Sequence, residues 1–185
     1  MSREENRRRT GKYGYLQDYN LTVDGQAIYT GWLYTARLER AIHRKKLNVA
    51  VCAALLSAIL FVVPGFLPLH GLLSEKYVLL PYALTIVVAV RVGFASVRLR
   101  VLKEPIRIFE FERTYTVMSQ WSVVAVIPAA ATIVATIYRM TRSGADALCI
   151  VSCLFMLMGS LCEVFLWRWA KGIEYSESRA TGNEL

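Results

Sequence analysis

Charge of either sign is missing from Leu47 through Ser74. An α-helix needs roughly 20 apolar residues to cross a hydrocarbon core of about 30 Å, so an uncharged run of this kind reads as a membrane span rather than as the core helix of a soluble domain. Cysteine is sparse as well. Cys52, Cys149, Cys153 and Cys162 all fall inside apolar blocks, and none belongs to a Cys-x-x-Cys pair. That excludes the usual zinc spacings and the vicinal dithiol motif, and leaves each cysteine as a small buried hydrophobe. The two histidines, His43 and His70, flank the first apolar block and cannot share one metal ion across it. No glycine-rich phosphate loop and no nucleophile–base spacing is present. The expectation is a protein that is not an enzyme and has no catalytic residue, metal ligand or cofactor. The polar segment before the first block is too long for the n-region of a signal peptide, and the block is too long for a typical h-region.

What the sequence does contain is apolar residues gathered into four blocks. The 185-residue chain is 55% hydrophobic, only slightly above the roughly 45–50% of soluble domains, so distribution decides where the average does not. The predicted spans are 47–69, 77–97, 121–138 and 147–169. Pro64, Gly65 and Pro68 end or kink the first, Pro128 lies within the third, and Ser143-Gly144 turns the chain into the fourth. The predicted fold is an all-α integral membrane protein, a four-span up-down-up-down transmembrane helix bundle.

Basic residues orient it. Eighteen Lys and Arg precede the first span, follow the second, or follow the fourth, against three in the other two turns, with Arg91 left aside. The positive-inside rule then puts both termini in the cytoplasm of a multi-pass cell-membrane protein. Trp32, Trp121, Trp167 and Trp169 would lie at the same interface. The net charge of +8 is thereby read as topology and as attraction to an anionic inner leaflet, not as a nucleic-acid footprint.

The segments outside the spans divide further. Residues 1–18 read as a disordered basic arm. In 19–46, Asp24-Gly25 between two β-forming runs predicts a cytoplasmic β-hairpin, and Trp32 to Lys46 reads as a juxtamembrane amphipathic helix. Ile106 to Phe111, after Pro105, is expected to be extended and to join the hairpin as a third strand, with a helix start at Glu110 as the alternative. Residues 170–185 read as a disordered tail.

Two charges interrupt the blocks. Arg91 and Glu163 lie at similar depth in spans two and four, and an intramembrane charge is costly unless paired or hydrated. The expectation is an Arg91–Glu163 ion pair, with Asn48, Gln120 and Ser122 as an inner polar cluster. Small residues at helical spacing, Ala50, Ala54 and Ala58 in span one and Ala89 with Gly93 in span two, suit close helix approach, and with it a protein partner or a homo-oligomer. Three functions follow from these features. The first is a non-enzymatic accessory or scaffold subunit of a membrane complex. The second is a small transporter or channel with an Arg91/Glu163 site. The third is a membrane enzyme acting on thiols or lipid.

Overall fold

The computed structural model describes residues 19–21, 27–67, 75–144 and 146–180. Residues 1–18, expected to be a basic arm, and the Asp24-Gly25 turn lie outside the described residues.

Among the described residues, four helices are long and apolar enough to cross a membrane. They are α1 (Arg40–Val62), α2 (Lys76–Val101), α3 (Val117–Ser143) and α4 (Ala147–Lys171). The helix α1 starts well before the uncharged run, so the basic residues from Arg40 to Lys46 are its first turns. It passes into a 3₁₀ turn, Val63–Phe66, where Pro64 has no N–H to continue the α pattern. A short helical turn, Ile108–Phe111, and a π segment, Glu112–Thr116, lead without a break into α3. Asp146 caps α4 by accepting from the Leu148 N–H at 3.1 Å. Between α3 and α4 the chain reverses at Gly144, whose φ of +90° is a conformation side chains resist.

The helices form a ring in which α1 packs on α2, α2 on α3, α3 on α4 and α4 on α1. All four neighbours run antiparallel. The Tyr82 hydroxyl near the start of α2 donates to Val62 O at the end of α1. Tyr77 meets Tyr138 at 6.1 Å between ring centroids. Phe61 of α1 lies against Gly159 of α4. Each helix offers one stripe to the interior at the spacing of its turns. In α4 that stripe is Cys149, Ser152, Met156, Gly159, Glu163, Leu166 and Ala170. The outward faces are apolar too, with Val87, Phe94, Ile127 and Val134 well exposed. Ala50, Ala54 and Ala89 are buried inside the ring, so these small residues set helix spacing within the bundle.

One end of the ring carries a cap. Strand β3 (Trp32–Ala36) is central, between β4 (Ile106–Arg107) and β5 (Tyr175–Arg179), and both pairings are antiparallel. Leu33 stands opposite Arg107 on one side and Ser178 on the other. Strand alternation sends Tyr34 toward the helices, where it shares a core with Leu47, Leu99, Met118 and Leu166, one residue from each helix. Leu33 faces the other way. There the hairpin β1 (Tyr19–Leu21) with β2 (Ala27–Tyr29) covers it, and Tyr29, Leu33 and Ala180 pack together. Arg107 ties the layers by donating to the Tyr19 hydroxyl at 2.9 Å.

The cap departs from the sequence reading in three places. Trp32–Ala36 is a strand and not the start of a helix, because its alternate residues are buried from two sides by different layers. Ile106–Arg107 is the expected third strand, but it pairs with β3 while the hairpin packs face-on, and Ile108–Phe111 turns helical. Tyr175–Arg179, read as part of a disordered tail, is a paired strand. Its Ser-Glu-Ser-Arg composition conceals this, since the strand is held by backbone bonds to β3 and by one aromatic anchor, Tyr175.

Candidate functional site

Two groups of polar side chains are sealed inside the structure. The first is built around Glu163 in the interior stripe of α4, which is 0% exposed. Ser57 of α1, also 0% exposed, sits 2.6 Å from Glu163 Oε1. Ser122 of α3 faces the same carboxyl, although its hydroxyl donates to Met118 O at 2.7 Å. Among the described residues, Glu163 Oε2 has no hydrogen-bond partner. Three helices thus meet at one carboxyl, with hydroxyls rather than a cation around it.

Arg91 is elsewhere. Its guanidinium carbon lies 4.0 Å above the centre of the Trp121 ring, and the residue is exposed. The structure does not bring Arg91 and Glu163 together. The physical reason is azimuth: the buried residues of α2 here are Val88, Ala89, Val92, Ala95 and Ser96, and Arg91 projects from the outer side of the helix. Stacking on an indole gives the cation a partner without burying it. Of the expected inner polar cluster, Ser122 reaches the interior, while Asn48 and Gln120 are exposed. Ser57 was the missing member. Its signal is positional, because it continues the buried series Leu47, Ala50, Ala54, Phe61 of α1.

The second group joins the cap to the bundle. His43 of α1 is buried, with Nδ1 2.7 Å from Glu104 Oε1 and Nε2 3.3 Å from the Tyr175 hydroxyl. Which of Nε2 and the Tyr175 hydroxyl donates follows from the imidazole tautomer. Glu104 Oε1 has no aligned hydrogen bond among the described residues, so the His43 contact is a close approach rather than a directed bond. Tyr34, Phe111 and Tyr115 stack beside it, and Tyr175 meets Phe111 and Tyr115 edge-on. Tyr34 and Phe111 lie 4.2 Å apart and nearly parallel, and the Tyr115 hydroxyl donates to Ala170 O. Burial, then the neighbouring Tyr115 and Glu104, pushes the Tyr175 phenol well above its ordinary range.

This upward shift fixes a sign. The unfolded chain loses the Tyr175 proton near pH 10, while the folded chain keeps it to higher pH. The stabilisation is therefore complete below about pH 10 and falls as pH rises above it. Detachment of the cap should begin above that pH, and Tyr175→Phe should move its onset upward. Fluorescence of Trp32, which lies on β3, would report it. An onset unchanged in the variant would remove Tyr175 from the account.

Among the described residues, no group of His, Cys, Asp and Glu could hold a metal ion. A shallow groove of about 280 Å³ between β3, β5 and Pro105 is lined in part by Arg40 and Glu104. The geometry defines a four-helix bundle of membrane-spanning length with a capped end and an occluded carboxyl. Compared with known proteins, the chain matches no family model, no curated protein and no solved structure.

Proposed function

We propose that this chain is a multi-pass protein of the cell membrane, with the capped end in the cytoplasm, acting as a non-enzymatic accessory or scaffold subunit of a membrane complex. The observation that carries the reading is the cap. Segments far apart in sequence fold into one platform across the ends of all four helices. Its exposed surface includes Trp32 and the charged outer residues of β5.

Charge supports the orientation. Exposed Arg40, Arg44 and Lys45 of α1, Arg98, Arg100 and Lys103 at the end of α2, and Arg168 and Lys171 of α4 all ring the capped end. Each would gain about 1 kcal/mol near an anionic leaflet. At the opposite end, Lys76, Arg139 and Arg142 are offset by Glu75 and Asp146. The exposed apolar side chains of all four helices would then meet lipid instead of water.

The test has two parts, both on the full chain in its native membrane. A cysteine placed at Ser178 should resist a membrane-impermeant thiol reagent in intact cells and react once the membrane is opened. Gentle detergent extraction should recover a second chain in fixed proportion, and Arg179→Glu on the platform should weaken that recovery. Labelling of the Ser178 position from outside would overturn the orientation. A solitary chain with catalytic turnover of its own would overturn the scaffold reading.

A further inference from the structure

The proton count around Glu163 balances for a carboxylate only if the Ser57 proton serves Oε1. A serine hydroxyl has one proton to donate. The Ser122 proton is directed at Met118 O. Ser57 Oγ lies 2.9 Å from Ala54 O and 2.6 Å from Glu163 Oε1, and its single proton can serve only one of them. If it serves Ala54 O, as hydroxyls in apolar helices commonly bond back to the preceding turn, the carboxyl receives no hydrogen bond from either serine. A carboxylate would then stand between two oxygen lone pairs inside a bundle with no cation at hand among the described residues. Arg91, the basic side chain of matching depth, is engaged by Trp121 on the outside. The neighbour along α4, Cys162, brings no positive charge.

Adding one proton resolves the contact with Ser57. A carboxylic acid O–H on Oε1 donates to Ser57 Oγ, Ser57 donates to Ala54 O, and Ser122 keeps its bond to Met118 O. The separation of 2.6 Å suits an O–H···O bond. The remaining oxygen, Oε2, is then a neutral carbonyl, which tolerates an unmade hydrogen bond far better than a charged oxygen does.

We infer that Glu163 is a proton-binding site enclosed by the bundle, holding its ligand as a carboxylic acid O–H shared with Ser57. Binding forms one O–H bond on the carboxylate, and release returns one proton and the charge. The inference stands on the geometry between α1, α3 and α4 and is independent of the scaffold reading. Either can fail without the other.

Infrared difference spectroscopy tests it on the full chain in lipid vesicles at neutral pH. Wild type minus Glu163→Gln should show a carbonyl stretch of un-ionised carboxylic acid that the variant lacks. A pair of carboxylate bands in its place would overturn the inference. Should Glu163→Gln fail to fold, wild-type protein labelled with carbon-13 at the glutamate carboxyls decides the matter. An isotope-shifted band in the carboxylic acid region supports the site, and a silent region there overturns it. Ser57→Ala, which removes the acceptor, should move that band while leaving its intensity.

Discussion

Gly159→Ala is expected to lower the stability of the folded bundle by about 1–3 kcal/mol, the usual cost of forcing an extra carbon into a packed core. The added Cβ would lie 2.7 Å from Cε1 of Phe61 and 2.9 Å from two further ring atoms. Phe61 is 0% exposed. Its ring is rigid and is packed with Tyr82, Ala89, Ala129 and Met156 from the other helices. It cannot bend away as the tip of a flexible chain would, so α1 and α4 must separate. Since Ser57 and Glu163 lie one turn from this contact, the separation would also stretch their hydrogen bond. Thermal unfolding in detergent measures the effect. Phe61→Leu in the same chain should recover part of the loss, because the two residues occupy one space. Full additivity of the two changes would show that the ring and the glycine do not share it.

Tyr34→Ala should detach the cap from the helices at a cost of about 3 kcal/mol, near the lower end for large-to-alanine changes in cores. Tyr34 is the side chain through which the central strand enters the bundle core, and it stacks on Phe111. Its loss removes that stacking and opens a void against Leu47, Leu166 and Ala170. The helices keep their own contacts. Limited proteolysis should therefore cut between Tyr29 and Arg37 and after Ile173 while the four helices stay intact. A variant that resists cleavage there would place the attachment in the His43–Glu104–Tyr175 contacts instead.

The helical part of the structure was legible because membrane-length helices are specified by composition over long windows. Long apolar blocks set their number, and Pro64 and Ser143-Gly144 mark two of their ends. The cap was much less so. A five-residue strand such as Tyr175–Arg179 carries too few side chains to establish a period, and its stability comes from a backbone partner about 140 residues earlier in the chain. The Trp32–Ala36 strand is masked in the sequence because short alternation can also be fitted to a helix when the flanking residues are helical.

The interior site was half legible. Glu163 stands out as a charge in an apolar block, and residue counting sets it at a depth similar to that of Arg91. Depth is only one of two coordinates on a helix, however. Angle around the axis puts Arg91 outside and Ser57 inside, and that angle follows from the stripes of α1 and α2 once they are drawn. An exposed apolar residue on a helix of this kind carries no signal of which side faces in, so the stripes emerge only from packing.

The pairing of β3 with β5 has a consequence for synthesis. The strand that leads into the first helix finds its longer neighbour only in the segment that follows the last one. Translation runs from the amino end, so β3 must wait through four helices before β5 leaves the ribosome. The ring is latched by a piece made after all four helices, and ribosomes stalled before Tyr175 would hold those helices with the latch still open.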